Sequence, residues 1–252
     1  MTCLCPIPPR LALAAALITT LNVSMPAHGQ SMLQACGSDG YRVAPRLLER
    51  FMAADCQACW TDDPRASENA EDAVVLDWIT PGAMGDDAPL SAAATRDGIH
   101  RLQALHAGLA PPTGAQPASG LLRRVTPLSR ATASAGMPRL SIARGPAMRG
   151  YVGVSIALTA GRAGPWQVWL ALVERIAAGE EGSPVARQLV RSSLAYTRDA
   201  RRDPLPSGQA PWIERRVMRI PEGANTEQLQ LVGWVEDVQG RMVTLAQTRC
   251  AP

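Results

Sequence analysis

From Tyr151 onward the chain alternates: Val152, Val154, Ile156 and Leu158 fall on one side of an extended backbone, and Gly153, Ser155, Ala157 and Thr159 fall on the other. Successive side chains of a strand point to opposite faces, so a period of two describes a strand with one buried side; a helix would scatter the same residues around its surface. The style returns over 166–173, 213–220, 229–235 and 242–247, with turn residues at Pro221-Glu222-Gly223 and Gln239-Gly240. Short strands with a turn between neighbours predict a β-rich, mainly antiparallel domain over 149–252. Among them, 184–194 reads as a helix, with Val185, Leu189 and Ser193 on one side.

The first half has a different texture. Residues 46–52 are an apolar-rich strand candidate, a helix is expected to start at Cys56, and 73–79 reads as a short buried strand. Strand, helix, strand is the opening unit of an α/β domain. Ile99, Leu102, Leu105 and Ala107 are spaced for a helix over 95–107, and 139–144 reads as a further strand. A Pro/Gly/Ala-rich run over 107–120 and a glycine-rich stretch over 145–150 interrupt these signals, and the boundary between the α/β domain (30–148) and the β-rich domain is placed near residue 148.

Residues 1–29 read as an export signal: Arg10 is the only charge, 11–23 is apolar, and Ala27 and Gly29 stand three and one residues before the expected cleavage point. The apolar stretch is short of the roughly twenty residues that a membrane span needs. The expectation is a periplasmic or secreted chain without a membrane span once the signal is cleaved. Export leaves Cys36, Cys56, Cys59 and Cys250, an even number that suits an oxidising compartment. Four cysteines allow three pairings. If Cys56 pairs with Cys59, Cys36 and Cys250 remain to form a structural disulfide, worth roughly 4 to 5 kcal/mol in the chain-entropy picture.

All 25 basic residues are arginine, which excludes chemistry that needs a lysine, such as a Schiff base or a phosphate-loop lysine. The net charge of +3 is spread along the chain, so no basic face argues for nucleic acid. His100 and His106 are too far apart to share a metal on one helix face, and no Gly-x-Ser-x-Gly elbow offers a serine nucleophile. The chemistry-bearing motif is Cys56-Gln57-Ala58-Cys59. Two sulfurs at this spacing can close a small disulfide ring at a helix start or hold a soft metal ion. At a helix N-terminus Cys56 would be the attacking thiolate and Cys59 the resolving thiol. Asp55, Asp62 and Asp63 stand close by and oppose thiolate formation.

These residues resemble a family of exported bacterial proteins of unknown function that carry a thioredoxin-like domain. In that family a strand leads into a Cys-x-x-Cys pair, as Leu47-Leu48-Glu49-Arg50-Phe51 leads into Cys56 and Cys59, and a second strand follows, as in Val74-Val75-Leu76-Asp77-Trp78. Met137-Pro138-Arg139-Leu140-Ser141-Ile142-Ala143-Arg144-Gly145 looks like its later strand, and Trp166-Gln167-Val168-Trp169-Leu170, Gly179-Glu180-Glu181-Gly182 and Leu189-Val190-Arg191 resemble motifs of its β-rich portion. The resemblance implies a thioredoxin-like N-terminal domain and thiol-disulfide exchange on exported proteins through a mixed disulfide, with no organic cofactor. It also makes Pro138 a cis-proline that docks substrate peptide beside the sulfurs. The β-rich half would be a partner platform or lid. Trp60-Thr61 stands where the family has two prolines, and Ile79-Thr80-Pro81-Gly82 replaces its His-Val-Asp-Tyr-Trp-Asp segment, which marks a divergent member. Two competing readings are a non-catalytic envelope binding module whose cysteines only staple the fold, and a periplasmic metal chaperone.

Overall fold

The structure is a computed structural model that describes residues 36–39, 46–63, 72–108, 121–128, 139–159, 165–199 and 211–250. The export segment and Pro138 lie outside the described residues.

The described residues contain eleven strands, two α-helices and three short 3-10 turns. A four-stranded antiparallel sheet has the order β1 (Cys36–Gly37), β5 (Arg139–Met148), β6 (Tyr151–Thr159), β9 (Trp212–Arg219). A seven-stranded sheet has the order β11 (Met242–Gln247), β10 (Leu229–Glu236), β7 (Trp166–Ile176), β8 (Arg187–Arg198), β3 (Ala73–Thr80), β2 (Arg46–Ala53), β4 (Leu121–Pro127). Its pairs are antiparallel except β2 with β3 and β3 with β8, which are parallel.

The apolar pattern explains the layering. The buried side of β6 (Val152, Val154, Ile156, Leu158) and Ile142 of β5 pack onto Val168, Leu170 and Leu172 of β7 and Leu231 and Val235 of β10, forming the core between the sheets. Gly233 permits their closest approach: a Cβ there would lie 3.2 Å from side-chain atoms of Leu140 and Ile142. The alternate residues of the long sheet (Phe51, Leu76, Trp78, Trp169, Val173, Val190, Trp234) form a second core on its other side, where Leu105 of α2 (Arg96–Gly108) joins them. Strand β7 is therefore buried on both faces and reads as a nearly continuous apolar run.

An arginine sits in the middle of that second core. Arg101, on the same side of α2 as Leu105, forms a double hydrogen bond with Glu49 of β2 at 2.8 Å and meets Glu236 of β10 at 2.6 Å. Its guanidinium lies 4.5 Å from the ring centre of Trp169, which stacks on Trp234. Burial alone would lower the Arg101 pKa, but Glu49 and Glu236 outweigh it and raise the value. Closer to the helix start, Gly98 lets α2 press on β3, since a Cβ there would lie 3.0 Å from Thr80 Cγ2.

Two expectations are corrected. The first half does not form an α/β thioredoxin-like domain: the helix that starts within the cysteine motif, α1 (Gln57–Thr61), has only five residues, and strands from both sides of residue 148 share the seven-stranded sheet. The molecule is mostly β. The stretch 184–194 is also no helix, because its greater part belongs to β8, where Leu189 and Val190 are buried on opposite faces of a central strand. Here the sheet position overrides the three-to-four spacing of apolar residues.

Candidate functional site

Parallel strands β2 and β3 end side by side, and the cysteine motif occupies the turn that leaves β2. Ala54 N donates to Thr80 O at 2.8 Å and Cys56 N to Ala53 O at 2.9 Å, so the chain reverses before Gln57 begins α1. Asp55 fixes the other side of the turn, accepting from Ala83 N at 2.6 Å and Met84 N at 3.3 Å. Gly82 leaves room for this contact, because a Cβ there would push the Asp55 carboxylate off the two amides. The helix is too short for a sizeable macrodipole, and the expected N-terminal stabilisation of a thiolate loses most of its basis.

Cys56 and Cys59 are joined in a disulfide, as are Cys36 and Cys250. The two sulfurs of the first bond are unequal. Cys56 is half-buried, whereas Cys59 is 5% exposed and packs among Met52, Trp60, Ile79, Ala88 and Leu189. Both line an open cleft of about 450 Å³ with Ala58, Asp62, Leu121 and Arg123. Pro138, the expected docking element, lies outside the described residues.

Beneath α1 runs a row of charges. Arg123 of β4, Arg50 of β2 and Asp77 of β3 are direct partners in the strand register, and Leu189 of β8 continues the row. Arg50 and Asp77 are fully buried and 3.3 Å apart. Arg187, two residues before Leu189, reaches Asp77 from the other side, also at 3.3 Å. Above the row sits Asp62, which binds Arg50 at 2.9 Å and pairs with Arg123. Arg187 lies over the Trp60 ring at 4.4 Å and donates to the carbonyls of Trp60 and Asp62, thereby capping the end of α1. Burial pushes the Asp77 carboxyl above its ordinary range, while Arg50 and Arg187 pull it back. Burial also lowers the Arg50 pKa, against the pull of Asp77.

This geometry revises the electrostatics expected from sequence. Asp62 is neutralised by two guanidinium groups and Asp55 is turned onto backbone amides. Counting the row and Asp62 together, three arginines face two aspartates. Within this group the surplus is positive, and Arg123 lines the same cleft as both cysteines, which offsets the carboxylates of Asp55 and Asp63 outside it. Sequence reasoning missed Arg50, Asp77, Arg123 and Arg187. A signal was present: Glu49 and Arg50 interrupt the apolar part of Arg46–Ala53 and Asp77 that of Ala73–Thr80, and a charge in such a strand needs a buried partner. His100 and His106 are exposed on α2, and no group of three or more metal-binding side chains occurs among the described residues. No described helix is long and apolar enough to cross a membrane.

No family description and no curated protein sequence matches this chain. Among solved structures it is similar to a structural-genomics target protein from Agrobacterium tumefaciens, with 12% sequence identity, a TM-score of 0.47, and coverage of 82% of this chain and 95% of that one.

Proposed function

We propose that this chain is an exported thiol-disulfide exchange protein whose working groups are Cys56 and Cys59. The observation that carries the reading is the unequal pair in an open cleft: a half-buried Cys56 bonded to an enclosed Cys59, with Arg123 lining the same space. An incoming substrate thiolate attacks Cys56 Sγ, the Cys56–Cys59 bond breaks, and its electron pair stays on Cys59 as thiolate. Cys59 is then placed to reverse the step by attacking the mixed disulfide at Cys56. The apolar reading of 11–23 and an even cysteine count after residue 29 support a periplasmic or secreted location.

The test is a trapping experiment. Cys59→Ser should let the Cys56 thiolate attack the disulfide of an oxidised peptide dimer, forming a long-lived mixed disulfide and releasing one peptide as its thiol, while Cys56→Ser forms little or none. The wild-type pair should equilibrate with glutathione and show a midpoint well above about −300 mV. A pair that resists reduction below that potential, together with an inert Cys56 in Cys59→Ser, would identify a fixed staple instead.

A further inference from the structure

The second disulfide has a neighbour that a plain staple does not need. Cys36 lies in β1 directly across the ladder from Arg144 of β5. Arg144 Nη2 is 3.4 Å from Cys250 Sγ, and Nη1 donates to Gly145 O at 3.2 Å. Only 7% of Arg144 is exposed, its Nε has no hydrogen-bond partner, and no carboxylate pairs with it among the described residues. Burial lowers its pKa with no neighbouring charge to offset the cost. Four other buried arginines, Arg50, Arg101, Arg187 and Arg191, each pair with a carboxylate.

We infer that Cys36–Cys250 is a second thiol-exchange site, opened by an external dithiol, in which Arg144 is the waiting counter-ion for the thiolate that reduction releases. The two sulfurs differ in access: Cys36 is 1% exposed, while Cys250 is an exposed residue. The external thiolate therefore attacks Cys250 Sγ. The Cys36–Cys250 bond breaks and its electron pair goes to Cys36, which lies directly across the ladder from Arg144, whose Nη2 already touches the partner sulfur. The second thiol of the reductant then displaces Cys250, so that the dithiol becomes a disulfide and the protein gains two electrons and one proton, which goes to Cys250; Cys36 stays a thiolate and the other proton of the dithiol goes to solvent. In the oxidised state Arg144 is a buried cation with neutral hydrogen-bond partners and no carboxylate among the described residues; in the reduced state it has an anion. That difference favours reduction.

The bond also fastens a strap. Strand β1 covers the outer edge of β5, and Gly37 exchanges backbone hydrogen bonds with Arg249 at 3.2 and 2.9 Å. Opening the disulfide leaves β1 held only by hydrogen bonds, these two and those to β5 that include Ser38 N to Ile142 O at 3.0 Å, and their release would bring the β5 edge within reach of another extended chain. Asp39, which accepts from Ser141 Oγ at 2.6 Å, and Arg249 are the other charges on the joined segments.

The experiment compares wild type with Arg144→Gln and Arg144→Lys in buffers of graded dithiothreitol redox ratio, with differential alkylation and mass mapping of each pair. Wild-type Cys36–Cys250 should open at a roughly tenfold lower reduced-to-oxidised ratio than in Arg144→Gln, about 30 mV for a two-electron couple. Arg144→Lys should keep most of the difference, and the Cys56–Cys59 midpoint should be the same in all three. Equal midpoints in wild type and Arg144→Gln would overturn the assignment. Should Arg144→Gln not fold, thiolate absorbance of a Cys3→Ser, Cys5→Ser, Cys250→Ser chain, oxidised at Cys56–Cys59, reads Cys36 directly. A Cys36 thiol titrating below the ordinary value near 8.5 supports the role of Arg144, whereas one above it shows burial acting alone.

Discussion

Asp62 decides how much of the arginine charge the sulfurs experience. It sits one turn beyond Cys59 and takes up both Arg50 and Arg123. Asp62→Asn should free that positive charge, and the reduced Cys56 thiol should then react with iodoacetamide at pH 6 about three- to tenfold faster, an interaction of about 0.7 to 1.4 kcal/mol across a partly solvated cleft. Unchanged or slower alkylation would show that the carboxylate is not the restraint. At this scale the sequence was half legible. The cysteine spacing announced sulfur chemistry, but three nearby aspartates suggested a site hostile to thiolate. The partners of Asp62 come from β2, β4 and β8, between 12 and 125 residues away in the chain, and only strand register brings them together.

For the elements, period-two patterns placed β6, β7, β9, β10 and β11 well, because each has one face against a core and the other less buried or differently filled. Helix α2 was equally readable over 95–107 from its apolar spacing. What that spacing concealed is Arg101, which shares the buried side of α2 with Leu105 and anchors the helix to β2 and β10 through Glu49 and Glu236. Arg101→Met should be destabilising by about 3 to 5 kcal/mol at pH 7.5, since it leaves two carboxylates buried without a cation. Those carboxylates would then hold their protons more tightly folded than unfolded, so the loss should shrink as pH falls toward 5. Urea denaturation at the two pH values checks both points; a penalty independent of pH would mean that lost packing on Trp169 dominates.

Over the whole molecule, the boundary placed near residue 148 follows a real change in texture, yet the strands on its two sides are not independent. The β2–β3–β4 group supplies Phe51, Leu76 and Trp78 to a core completed by Trp169, Val173, Val190 and Trp234, all from beyond residue 148. The row beneath α1 likewise ends on Arg187. Pattern reading sees which face of a strand is apolar but not which distant strand covers it, and the two parallel pairings, β2 with β3 and β3 with β8, leave no turn signal. A fragment of residues 30–148 should therefore fail to fold alone. It would expose the apolar face of β2 and β3 and leave Asp77 without Arg187, whereas 30–252 should unfold in a single cooperative transition. Circular dichroism and tryptophan fluorescence of both forms during urea titration provide the check. A fragment that melts cooperatively, with Trp60 and Trp78 shielded as in the longer chain, would show that the first half closes its own core.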